Sequence, residues 1–200
     1  MSSIKFQISN FKCQVSNVRS RGFTLFELLV VIAIIVIISG AVVVNFQRGQ
    51  EGLALDRSAH KLAQDIRKAM EYTLRAVPYG GCPLAVPHFT GYGIFITTAS
   101  ATSYIMFADC DISTGSGDGR YVATAGDQIV ETFFIEKGVK ILSVDPDPAV
   151  HIKFIPPDPT LTIKGSGPPP TRSTIAVAPI SDTTKQRTVN IAPTGAITIN

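Results

Sequence analysis

The sequence predicts an α+β fold: a long N-terminal helix, membrane-spanning in its first half and amphipathic in its second, packed on an antiparallel β-sandwich-like body. Three observations carry this. Residues 23–46 form a nearly unbroken apolar run. Residues 53–76 repeat apolar side chains at helical spacing. Beyond residue 90 the chain breaks into short β-rich runs separated by turn residues. The divisions implied are a basic leader at 1–22, a transmembrane or assembly helix at 23–46, an amphipathic helix at 47–76 and an extracytoplasmic β-rich domain at 77–200.

The leader is basic and mostly polar, with Lys5, Lys12, Arg19 and Arg21 and no acidic residue. Basic residues beside a spanning helix stay cytoplasmic, which places the N-terminus inside and the body outside. An ordinary secretory signal carries its apolar region within the removed peptide. Here the better cleavage point, between Gly22 and Phe23, precedes the apolar region, so the helix is retained. Cys13 has no apolar lipobox before it and reads as incidental. Taking the four leader cations from 18 Lys+Arg leaves 14 against 15 Asp+Glu, a formal charge of −1 on the remaining chain. The overall charge of +3 therefore says nothing about nucleic acid.

From Leu28 to Phe46 only Ser39, Gly40 and Asn45 dilute Leu, Val, Ile, Ala and Phe. That is close to the ~20 residues a helix needs to cross a bilayer core. Lipid offers no partners for backbone N–H and C=O groups, so a single spanning segment must be helical. Glu27 is the one carboxylate near its start. A carboxylate in an apolar span is costly and is usually functional or paired. Cleavage after Gly22 would create an amine on Phe23 near the level of a Glu27 carboxylate on a neighbouring helix. Two such chains would pair amine to carboxylate while their apolar faces pack.

Residues 22–27 read Gly-Phe-Thr-Leu-Phe-Glu and are followed by a long apolar helix. This resembles the class III leader of type IV pilins and type II secretion pseudopilins. The resemblance implies that a membrane prepilin peptidase cuts between Gly22 and Phe23 and methylates the new amine of Phe23. It implies that Glu27 serves assembly through a neighbour's N-terminus. The partners implied are that peptidase/methylase, other pilin or pseudopilin subunits, an inner-membrane assembly platform, and membrane lipid before assembly. The localisation implied is the inner membrane, single-pass, then a periplasmic or cell-surface filament.

Arg48–Gly52 (RGQEG) is the first interruption, because its two glycines weaken helix. Helical pattern then resumes with Leu55, Ala59, Leu62, Ile66, Ala69 or Met70, and Thr73 or Leu74 on one stripe. Arg57, Lys61, Gln64, Lys68, Glu71 and Arg75 occupy the other side, with Glu71 and Arg75 in the favourable i,i+4 order. A helix from Phe23 to about Ala76 would be ~80 Å long. Such a rod cannot bury itself, so a lollipop shape is expected.

Residues 77–90 hold Pro78, Gly80, Gly81, Pro83 and Pro87 and read as a loop. Strands are expected at 92–97 and 104–108 as a hairpin, then at 129–135, 141–144, 150–154, 161–163, 174–178, 189–191 and 196–199. In the 150–154 run, Val150, Ile152 and Phe154 alternate with His151 and Lys153, predicting one face in and one out. Pro193-Thr194-Gly195 marks the turn of a terminal hairpin. The Pro-rich pieces at 156–159 and 168–170 read as loops or edges. One long helix, an all-β body and the ending VNIAPTGAITIN resemble the H-type minor pseudopilins and FimT-like proteins.

Cys82 and Cys110 both fall in the extracytoplasmic part, where oxidation is allowed. A disulfide between them would close about 29 residues and contribute roughly 3–4 kcal/mol. Two unpaired thiols are the alternative, because spacing does not show that their Cα atoms meet. Asp109, Asp111, Asp118 and Asp127 share one Gly/Ser-rich stretch and are the calcium candidates. They miss the EF-hand spacing, and a solvated turn between strands is the simpler reading. His60, His88 and His151 match no zinc spacing, and His151 reads as an outward strand residue. No motif for a nucleophile, a phosphate cradle or a redox pair is present, so no enzyme activity and no other cofactor are expected. DNA binding needs clustered cations. The tail offers only Lys185 and Arg187, which argues against DNA. A structural subunit of a secretion pseudopilus or a pilus is the leading reading. A membrane-anchored binding module outside any main filament, including a DNA-uptake minor pilin, is the alternative.

Overall fold

The computed structural model describes residues 22–75, 78–82, 88–111, 117–146, 148–156, 160–165 and 172–200, with the side chains at 41, 43–48, 88 and 111 outside that description. The leader before Gly22 and the Pro-rich pieces at 157–159 and 168–170 lie outside the described residues. The chain divides into two units, Met1–Val44 and Asn45–Asn200.

Helix α1 runs Leu25–Leu74. It runs unbroken through 48–52, as the expected long helix requires, although two glycines weaken helix propensity there. Two glycines cost about 1 kcal/mol each relative to alanine. The good helix formers that follow, Leu53, Ala54 and Leu55, and the buried stripe beyond them offset that. The helix start is capped: the Glu27 N–H donates to Thr24 Oγ1 at 3.2 Å. Thr24 and Glu27 stand at capping-box spacing, a signal the sequence reading passed over.

Among the described residues no helix is long and apolar enough to cross a membrane. The membrane-spanning first half at 23–46 is therefore not supported.

In the second unit, α1 buries Leu55, Ser58, Ala59, Leu62, Ala63, Ile66, Ala69 and Thr73. The open choices at the stripe's end resolve to Ala69 and Thr73. Met70 is half-buried and Leu74 exposed. Alanines on the stripe let the sheet approach closely. Ser58 and Thr73 are tolerated there because their hydroxyls donate back to the carbonyls of Ala54 and Ala69, at 2.7 and 3.1 Å.

Nine strands are found among the described residues: β1 His88–Thr97, β2 Ser103–Asp111, β3 Gln128–Phe134, β4 Val139–Asp145, β5 Ala149–Ile155, β6 Thr160–Lys164, β7 Ser173–Pro179, β8 Arg187–Ile191 and β9 Ile197–Ile199. They form a five-stranded sheet in the order β3-β2-β1-β5-β6 and a four-stranded sheet in the order β4-β7-β8-β9. Every pairing is antiparallel. β1 begins at His88, inside the stretch expected to be loop. The terminal β8–β9 hairpin turns at Gly195, whose φ is 81°. One core joins the α1 stripe to Ile94, Ile96, Met106 and Ile152 of the first sheet and to Ile141, Ile175, Val177 and Val189 of the second.

Polar residues flanking the buried stripe of α1 reach the sheets, while Arg57, Gln64, Glu71 and Arg75 stay exposed. Lys68 pairs with Glu131 at 2.5 Å, Tyr104 donates to Asp65 at 2.6 Å, and Arg187 pairs with Asp56 at 2.7 Å. Burial raises the Tyr104 hydroxyl, and the hydrogen bond to Asp65 adds to this.

The largest departure concerns β5. Its second face does not meet solvent: Lys153 is 0 % exposed and His151 half-buried. The described part of the β2–β3 connection, residues 117–127, lies over them. Sequence pattern reports which residues alternate. It does not report what covers the second face.

Candidate functional site

Two places concentrate chemistry: the start of α1, and the covered outer face of the first sheet. At the first, Gly22 and Phe23 precede the helix and are exposed, Phe23 by 77 %. Glu27 lies in the first turn, also exposed. Every described large apolar side chain from Leu28 to Ile38 is exposed. No side of this segment is polar, so no side is suited to water. A helix apolar all round is stable only when surrounded by other apolar surface. Here that means lipid or neighbouring helices.

On the outer face of the first sheet, β1 lies between β2 and β5. Gly93 stands opposite both Phe107 and Lys153, and Gly91 opposite Asp109. A Cβ on Gly93 would lie 2.5 Å from the Phe107 ring. A Cβ on Gly91, where φ is +147°, would lie 2.1 Å from the Phe154 carbonyl oxygen. The missing side chains leave a trough across β1, and the Lys153 stem crosses it to reach Asp109. Nζ lies 2.5 Å from Asp109 Oδ2 and 2.8 Å from Thr90 Oγ1. Thr90 Oγ1 in turn donates to the Asp109 carbonyl oxygen at 3.1 Å. Burial raises the Asp109 carboxyl, and its hydrogen bond from Lys153 and the Lys153 charge act in the opposite sense.

The four aspartates of the calcium expectation are placed as follows. Asp109 holds Lys153 and accepts the Gly119 N–H at 3.3 Å. Asp118 accepts the Arg120 N–H at 2.7 Å in a turn. Asp127 accepts from Cys110 N–H at 2.9 Å and Val122 N–H at 2.7 Å, tying the connection to β2. The Asp111 side chain lies outside the described residues. No group of three metal-ligating side chains converges among the described residues. A disulfide joins Cys82 to Cys110, with Cα atoms 5.6 Å apart. It packs with Tyr92, Phe89, Tyr72 and Tyr79 in a small apolar cluster.

His151, expected to face outward, stacks on Phe95 at 4.6 Å between centroids. Its Nδ1 accepts the Tyr121 N–H at 2.8 Å, so the lone pair is committed. Burial, reinforced by the charge of Arg120, lowers its pKa from 6.5 to about 4, with Asp118 opposing. The unfolded chain therefore binds the extra proton between pH ~6.5 and ~4 while the folded chain refuses it. Stability from this group is complete above pH ~6.5 and is lost as pH falls to about 4. Discounted for solvent screening at a half-buried position, the loss is ~1–2 kcal/mol. Urea unfolding at pH 7 and pH 4.5 should show that much less acid loss in His151→Asn, which keeps an acceptor but does not titrate.

Residues 17–43 match the family described as "Prokaryotic N-terminal methylation motif". No curated protein matches the chain. Among solved structures, the type IV minor pilin FimU of Pseudomonas aeruginosa (strain PAO1) is similar at 13% identity and a TM-score of 0.40, over 73% of this chain and 92% of that one.

Proposed function

We propose that this type IV pilin-like chain is a minor structural subunit of a type IV pilus or a type II secretion pseudopilus. The single observation that carries this is the methylation motif at 17–43 running into a helix whose described apolar side chains are uncovered on every side. A prepilin peptidase cuts between Gly22 and Phe23 and methylates the Phe23 amine. Before assembly the chain is held in the cytoplasmic membrane, N-terminus inside and body outside. On assembly, its apolar helix exchanges lipid for the helices of neighbouring subunits. Glu27 accepts a neighbour's N-terminal amine, fixing register while the apolar surface supplies most of the energy. In a low-dielectric setting an amine and a carboxylate attract strongly, and a mispaired carboxylate is left costly and alone.

The tail offers little to DNA. Lys185 lies 3.5 Å from Asp182 and Arg187 2.7 Å from Asp56, so both tail cations are paired within the chain.

Mass spectrometry of the N-terminal peptide from membrane-recovered protein is the direct test. N-methylated Phe23 as the first residue is expected. A chain that retains its leader overturns the subunit reading and leaves an anchored binding module. Glu27→Ala is expected to remain membrane-associated while its recovery in sheared filaments falls about tenfold or more, equivalent to ~1.4 kcal/mol or above. Normal recovery would remove the register role.

A further inference from the structure

The Lys153–Asp109 pair is used by nothing in the proposed assembly, yet it is the most completely enclosed ion pair among the described residues. Side-chain exposure is 0 % for Lys153 and 2 % for Asp109. The two lie on β5 and β2, separated by β1, and Gly91 and Gly93 keep the crossing open. The Lys153 Cε is only 3.4 Å from where a Gly91 Cβ would stand. Above them sits Gly117 at φ +67°. A Cβ there would lie 2.6 Å from Asp109 Oδ2, 2.6 Å from Lys153 Nζ and 2.7 Å from Thr90 Oγ1. The cover therefore presses directly onto the amine and the carboxyl, with no space left for a side chain.

We propose that Lys153 and Asp109 become joined by an amide bond that the folded chain forms itself. The geometry holds Nζ 2.5 Å from Asp109 Oδ2, one bond from the electrophilic Cγ, with two aids already in place. Thr90 Oγ1 accepts from Nζ and orients the amine. The Gly119 N–H points at Asp109 Oδ2, where charge would build in a tetrahedral intermediate. Fixed reacting groups in a dry site gain effective molarities far above those in water.

The step balances without an oxidant or a co-reactant. The ammonium passes a proton to the carboxylate, giving a neutral amine and a carboxylic acid. The Nζ lone pair attacks Cγ, the N–C bond forms and a C–O bond breaks. Oxygen leaves as water, carrying one proton from the acid and one from the amine. Burial favours this neutral start, since it disfavours the charged carboxylate, and the negative charge of Asp118 lifts Asp109 further. The product replaces two buried charges, each expensive to desolvate, with one neutral amide. It also clamps β2 to β5 across β1. Asp109 then stands beside Cys110, so two successive β2 residues carry covalent links, the first to β5 and the second to Cys82.

The test is peptide mapping of the full-length chain, purified from membranes in detergent, then reduced, denatured and digested. A branched peptide joining the Lys153 and Asp109 segments is expected, lighter than the two linear peptides together by one water. Asp109→Asn should yield the same branched peptide, with ammonia lost from the intact chain in place of water. Lys153→Arg and Asp109→Ala should yield linear peptides only. A wild-type Lys153 peptide with a free ε-amine overturns the proposal. So does a water loss confined to the Asp109 peptide, which marks a cyclic imide. The readout is independent of leader cleavage and filament assembly, so failure here leaves the proposed function untouched.

Discussion

Asp109→Ala should lower the unfolding free energy of the β-rich unit by about 3–5 kcal/mol, the cost typical of stranding one partner of a buried ion pair. Lys153 is fully enclosed, and its amine lies 2.5 Å from the carboxylate that would be removed. Lys153→Ala should cost a similar amount for the mirror-image reason. The double change Asp109→Leu with Lys153→Met should cost clearly less than either single change, because no charge is then left buried. Urea melts of the four proteins at pH 7 decide it. Equal losses in the single and double variants would mean that packing, and not charge, holds this face. An amide link between the two side chains would enlarge the loss in every variant but leave their order unchanged.

Cys82→Ser with Cys110→Ser, or reduction of the wild-type chain, is the second large effect. The disulfide joins residues 28 apart in sequence. On the chain-entropy account its removal costs roughly 3–4 kcal/mol. It fastens the stretch after α1 to β2, beside a small aromatic cluster. Loss should therefore appear first as local opening near Tyr79 and Phe89, seen as faster amide exchange there than in β5. For an average domain of this size a loss of 3–4 kcal/mol lowers Tm by about 10 °C. An unchanged melting curve in reducing and oxidising buffer would remove the bridge from the stability account.

Local rules acting alone were legible in the sequence. The apolar stripe of α1, the order of the strands and the terminal hairpin each follow from periodicity and turn residues, and each appears near its expected position. The expected long helix continues through Arg48–Gly52 despite its two glycines, because local propensity is weak beside a helix already nucleated. The link between Thr24 and Glu27 was legible as a capping spacing and went unused.

By itself, then, the sequence determined the segment order, the methylation motif around Gly22 and Phe23, the buried stripe of α1 and the inner face of β5. These depend on neighbours one to four positions away, so a linear pattern encodes them. Only the tertiary structure decided that Lys153 and His151 are covered, that Asp109 and Asp127 answer a lysine and backbone N–H groups, and that Cys82 reaches Cys110. The contacts of Lys153 with Asp109, Tyr121 with His151, Cys110 with Asp127 and Cys82 with Cys110 each join residues 17 or more positions apart. Such contacts depend on how a loop closes over a sheet, and no spacing along the chain records that.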